Sequence, residues 1–206
     1  MIDDALLSVI RATKGFMPED EGAALHDAAL AAAIAAGGPL LEVGTYCGKS
    51  AMYLGAAARE TGTVVFTVDH HRGSEENQAG WDHHDSEVVD PTTGRMDTLP
   101  FFRRAIEAAG LEAVVVAVIG HSIPVARAWT NPLGFLFIDG GHALDVAMAD
   151  YEHWAPFVKP GGTLAIHDVF EHEADGGQAP YEVWKRAVVD GFTPVATTGS
   201  LRTLRR

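Results

Sequence analysis

The chain has 206 residues, which suits one domain with a sizeable core, and its 47% hydrophobic content excludes global disorder. Asp and Glu number 28 against 15 Lys and Arg, a net charge of −13 that repels the phosphate backbone and argues against nucleic acid as a partner. Cys47 is the single cysteine, so no internal disulfide forms and nothing points to an oxidising compartment.

The chain opens MIDDALLSVIRATKG, with acids where a signal peptide carries positive charge. The most apolar run, 28–36, falls short of the roughly 20 residues that cross a bilayer. A soluble cytoplasmic protein without a membrane partner is expected. Helical spacing over 3–14 and an alanine-rich stretch over 19–36 predict two N-terminal helices, the second stopped by Gly37-Gly38. These helices are apolar enough to pack on the core or on a second copy of the chain. A short apolar run at 40–43 reads as a buried strand, 50–60 as a helix, and the β-branched run 64–68 as a second strand ending at Asp69. Residues 70–96 then lose all periodicity, and a loop this long in a compact domain is usually functional or disordered. A helix over 97–109, a strand over 113–119, a short helix over 123–129 and a strand over 133–138 follow. Helical spacing resumes from Leu144, Pro160-Gly161-Gly162 reads as a turn, and 163–166 as a strand. A helix near 181–189 and two strands at 192–196 and 201–204 close the chain, the last two too tightly linked for a parallel crossover. Alternating strands and helices predict an α/β domain spanning 1–206, with a mostly parallel sheet and helices on both faces.

Ligands of such a sheet bind outside the carboxyl ends of its strands. Those ends carry Glu42-Val43-Gly44, Asp69, Gly120-His121-Ser122, Asp139 and His167-Asp168. Helix capping accounts for one or two such polar ends, but poorly for five. The stretch LLEVGTYCGKS ends like a phosphate loop, yet only three residues separate Gly44 from Gly48 and the expected first glycine is Val43. The Gly-x-Gly-x-x-Gly dinucleotide signature is absent too. A glycine turn beside a carboxylate suits a cationic ligand, and an acid after the next strand suits a ribose diol. A positive centre, a ribose and no phosphate describe S-adenosylmethionine.

LLEVGTYCGKSA resembles the first motif of class I methyltransferases, especially the metal-dependent O-methyltransferases of the catechol type. LFIDGGHALDVAMADYEHWAPFVKPGGTLAIHDVF resembles their fourth and fifth strands. The resemblance runs from about residue 38 to the end. It implies a Rossmann-like seven-stranded sheet of order 3-2-1-4-5-7-6 with a late antiparallel strand. It also implies that Glu42, Gly44, Gly48 and Ser50 line the cofactor loop, that Asp69 holds the ribose, that Gly120 and Ser122 lie near the adenine, and that Asp139 borders the cofactor.

The resemblance further implies a divalent ion, Mg²⁺ or Mn²⁺, on Asp139, His167 and Asp168. The catechol enzymes carry Asp-Asn at the last two positions and antibiotic-sugar methyltransferases Glu-Asp, whereas this chain has His-Asp. Hard cations prefer oxygen, so His167 either ligates a softer metal or only touches substrate or a neighbouring carboxylate. His142, three residues past Asp139, is the candidate catalytic base, as in the sugar-modifying relatives, or else merely begins a helix. Loop 70–96 is the expected acceptor lid, with Trp81 and His83 or His84 facing in. The expected reaction is O-methylation of a small-molecule or oligosaccharide acceptor. A methylmannose polysaccharide precursor or a glycosylated natural product is the candidate. A metal-free small-molecule methyltransferase and a catalytically silent S-adenosylmethionine-binding protein are the alternatives.

Overall fold

The computed structural model describes residues 2–74, 77–78 and 84–206. The chain begins with α1 (Asp4–Ala12) and α2 (Glu19–Ala35), and then alternates. β1 (Leu40–Val43), α3 (Lys49–Thr61) and β2 (Val65–Asp69) lead into a small ribbon of β3 (Val89–Asp90) and β4 (Arg95–Met96). α4 (Leu99–Ala108), β5 (Val115–Ile119), α5 (Ser122–Ala128), β6 (Leu133–Ile138), α6 (Leu144–Trp154) and β7 (Val158–Ile166) follow, and α7 (Ala179–Val189), β8 (Thr193–Thr198) and β9 (Leu201–Arg205) close the chain. The main sheet has the order β5-β2-β1-β6-β7-β9-β8. With the ribbon set aside this is the expected 3-2-1-4-5-7-6. Strand β9 runs antiparallel to both β7 and β8.

Side chains that alternate along each strand divide the core in two. Leu40, Phe135 and Phe137 point into one cluster under α1, α2, α3 and α4, joined by Leu6, Ile10, Leu25 and Met52. Leu41, Leu136 and Ile138 point into the other, against Ala126, Tyr151, Trp154 and Val183 of α5, α6 and α7. Both faces are therefore dry, as a parallel sheet requires. The N-terminal helices belong to the first layer, and α2 lies so close on α3 that a Cβ at Gly22 would sit 2.2 Å from the Tyr53 ring.

Two local readings are corrected. Pro160-Gly161-Gly162 is not a turn between elements but part of one long strand, β7, where the pairing with β6 slips between Leu133 and Phe135. A bulge tolerates a proline that cannot donate to the ladder, and Gly162 there lies against the Gly134 carbonyl, 3.0 Å from where a Cβ would stand. Loop 70–96 is also not featureless: it contains the β3–β4 ribbon, where Val89 pairs with Met96. Two-residue strands are too short to show periodicity.

Candidate active site

The carboxyl ends of the parallel strands open into one cleft of about 750 Å³. One side is built by the loop after β1. Gly44 takes φ +85, and a Cβ there would lie 2.1 Å from the Asp139 carbonyl oxygen, so only glycine lets this loop abut the end of β6. Asp69, at the end of β2, accepts hydrogen bonds from the Thr45 and Tyr46 amides on one oxygen, both at 2.9 Å, and from the His71 amide on the other at 2.7 Å. It borders the cleft, but it also ties the glycine loop to β2.

Glu42 departs from its expected place. It is fully buried and does not line the cleft. Thr45 Oγ1 donates to one of its oxygens at 2.6 Å and Ser50 Oγ to the other at 2.5 Å. Burial, helped by the nearby acids Asp139 and Asp69, pushes its carboxyl up to about 8 against the two hydroxyl donors, so at neutral pH it is mostly a neutral acid bracing the loop from behind. Gly48 does not face the cleft either. With φ +95 it begins α3, and a Cβ would press on Phe102 at 3.0 Å. Ser50, Gly120 and Ser122 do line the cleft. The Ser122 hydroxyl accepts from Trp154 Nε1 at 2.8 Å and steadies the buried Asp150, whose carboxyl burial raises to about 6.

The opposite side gathers Asp139, His142, His167 and Asp168, all bordering the cleft. His142 Nε2 lies 3.3 Å from Asp168 Oδ2. His167 Nδ1 lies 3.1 Å from Asp139 Oδ1 and 3.4 Å from Asp168 Oδ2, and its Nε2 stands 2.8 Å from Glu21 Oε2 on α2, off the N–H axis. Burial favours neutral imidazole, but the carboxylates of Asp139, Asp168 and Glu21 overcome it and raise His167 to about 12. Burial alone would likewise raise Asp168, yet the two histidines hold it well below the usual carboxylate range. Asp168 itself takes φ +54, a conformation a short acid tolerates better than most residues.

Three donor groups, from Asp139, His142 and Asp168, have ligand atoms within 4.8 Å of one another, and they form the candidate cation cluster among the described residues. Two carboxylates and one imidazole fit a divalent ion of the Mn²⁺ or Fe²⁺ type better than Mg²⁺. His167, expected either as a ligand or as a contact of a neighbouring carboxylate, stands outside this group, with carboxylates facing both its ring nitrogens.

Sequence reasoning passed over Glu21 and Phe16 here. Glu21 sits on the buried stripe of α2 with Leu25, Ala29 and Ala32, and an acid at that spacing was a usable signal. Phe16 borders the cleft mouth against Tyr46, with ring centroids 5.5 Å apart. His70 pairs with His121 at 4.5 Å, and both border the cleft. Of the expected lid, Trp81 and His83 lie outside the described residues, and His84 is exposed with Nδ1 3.0 Å from the Asn77 carbonyl.

A seven-stranded sheet of this order, with a glycine loop after its first strand and an acid after its second, defines a class I methyltransferase fold. Residues 41–169 match the family described as methyltransferase domain, and the chain belongs to that family. The fold is similar to that of the O-methyltransferase from Bacillus cereus in complex with SAH, with TM-score 0.67 and 17% identity over 99% of this chain and 91% of that one. It is similar to TomG from Streptomyces achromogenes, an O-methyltransferase involved in tomaymycin synthesis, in complex with SAM, with TM-score 0.64 and 16% identity over 98% and 90%. The O-methyltransferase NovP aligns at TM-score 0.67 and 14% identity over 91% and 79%. Among the described residues no helix is long and apolar enough to cross a membrane.

Proposed function

We propose that the chain transfers a methyl group from S-adenosylmethionine to a hydroxyl of a sugar-bearing acceptor, with a divalent cation assisting. The observation that carries this is the meeting of two unlike surfaces in one cleft: a backbone-lined loop beside Asp69, which Gly44 lets abut the Asp139 backbone, and the Asp139–His142–Asp168 group. The bound S-adenosylmethionine supplies a methyl group on a positively charged sulfur. The Gly44 loop, tied to Asp69 through the Thr45 and Tyr46 amides, would hold its ribose end. Asp139 and Asp168 would hold a divalent ion, which would supply Lewis-acid activation of the acceptor hydroxyl.

His142 takes the acceptor proton, with Asp168 orienting its ring at 3.3 Å. The oxygen then forms its bond to the methyl carbon as the carbon–sulfur bond breaks, and the electron pair stays on sulfur. Much of the acceleration comes from aligning the reactants. A second reading is favoured by the 4.8 Å grouping: His142 completes the ligand set, and the ion alone activates the hydroxyl. The Mn²⁺ affinity of His142→Ala separates the two readings. It stays at the wild-type value if His142 is a base and collapses if His142 is a ligand.

The test of the whole reading is transfer of labelled methyl to a panel of sugars and glycosylated phenols, before and after metal stripping. Product on a sugar hydroxyl that vanishes on chelation and returns with Mn²⁺ is expected. Undiminished turnover after stripping removes the cation from the reading, and exclusive methylation of catechols removes the sugar.

A further inference from the structure

We infer that Glu21, on the second N-terminal helix, is a positioning residue for the cation site, acting through His167. This rests on the cation reading above. The geometry is a chain of contacts running inward from the helix layer. One Glu21 oxygen accepts from the Ser200 amide at 2.8 Å, and the other accepts from Ser200 Oγ at 2.9 Å and faces His167 Nε2 at 2.8 Å. The opposite ring nitrogen of His167 then meets Asp139 at 3.1 Å and Asp168 at 3.4 Å, which are the two carboxylates of the proposed site.

A ring with a carboxylate on each side cannot rotate without losing one of them. Glu21 therefore fixes the face of His167, and His167 fixes the oxygens of Asp139 and Asp168 that remain for the ion. Such outer partners orient ligands as much as the ligands' own backbone does. The turn after β8 is shaped for the same carboxylate: a Cβ on Gly199 would fall 2.1 Å from Glu21 Oε1. Both Glu21 and His167 are buried, at 5% and 3% exposure, so water does not dilute the contact.

Three carboxylates, of Glu21, Asp139 and Asp168, surround the His167 ring, so the ring links the acid on α2 to both carboxylates of the proposed site.

A purely structural role is the competing explanation, since Glu21 also ties α2 to the β8–β9 turn. Binding of Mn²⁺ and of S-adenosylmethionine by the full-length chain, both followed by calorimetry, tells the two apart. If the wild type does not bind Mn²⁺, the cation reading fails and the positioning role falls with it. If it binds, Glu21→Gln is expected to weaken Mn²⁺ by roughly 10–100-fold, the range for outer partners of metal ligands, and to leave S-adenosylmethionine affinity unchanged. Unchanged Mn²⁺ affinity, or equal loss of both ligands, overturns the inference while the cation reading stands.

A cycle with His167→Gln adds a second check. Because Glu21 acts through the ring, the double variant should bind Mn²⁺ no worse than the weaker single variant. Multiplying losses overturn the relay. Should Glu21→Gln fail to fold, Glu21→Asp keeps the charge, shortens the reach, and is read by the same two titrations.

Discussion

The cleft has two acidic walls, and they behave oppositely. On the cofactor side Glu42 is fully buried with only hydroxyl partners, and burial raises its carboxyl to about 8. On the opposite side Asp168 is half-buried and Glu21 buried, yet two histidines hold Asp168 below its ordinary range, and His167 with the Ser200 amide and hydroxyl holds Glu21 below its own. Burial alone neutralises an acid, and burial beside a cation keeps it charged. Glu42 is thus a neutral brace behind the glycine loop, while the second wall gathers charged groups that could hold an ion and move a proton.

The sharpest way to break this contrast is to remove charge from the second wall. Asp168→Asn keeps the left-handed backbone, which Asn tolerates, and should reduce turnover to background. Next comes His142→Ala, whose turnover should fall by about 10²–10⁴ if the imidazole is the base, with S-adenosylmethionine binding intact. Steady-state kinetics beside calorimetry reads both; near-normal turnover removes His142 from the chemistry.

The first wall should answer differently. Asp69→Ala frees the Thr45, Tyr46 and His71 amides and should weaken S-adenosylmethionine by roughly 10–100-fold, the worth of a charged hydrogen-bond acceptor, while Mn²⁺ affinity holds. The smallest effect is expected at Glu42. Burial pushes its folded carboxyl up to about 8 from the ordinary 4.5, so the folded state holds a proton that the unfolded state has released, and stability falls as pH rises between those two values. Glu42→Gln does not titrate. Relative to wild type its melting temperature should gain at least about 5 °C between pH 5 and pH 9, read by circular dichroism. A constant difference across that range would mean that Glu42 is ionised in the fold.

Much of this was legible in the chain. β6 is an apolar run stopped by Asp139, and burial on both faces leaves such a strand no polar position to blur its end; β1, stopped by Gly44, carries the buried Glu42 as its one polar residue. The five polar strand ends marked the cleft because a parallel sheet puts them all at one edge. What escaped was long-range or ambiguous. The contact between Glu21 and Ser200 spans 179 positions, and an acid in a helix's first turn reads equally well as a partner of the helix dipole. The partner of His167 was a matter of side-chain direction, which spacing cannot supply. Pro160-Gly161-Gly162 has the same composition in a turn and in a bulge, and only pairing with β6 distinguishes them. Glu42 was misplaced because a strand alternates faces, and its side chain points under the loop while Val43 faces the cleft.

The most direct measurement is a paired titration of wild type and Asp168→Asn with Mn²⁺ and, on the same samples, with S-adenosylmethionine. Expected is a wild type that binds both and a variant that loses Mn²⁺ while keeping S-adenosylmethionine, since Asp168 belongs to the charged wall alone. A variant that keeps Mn²⁺, or that loses both ligands while still folded, would contradict the division of the cleft into two separable walls.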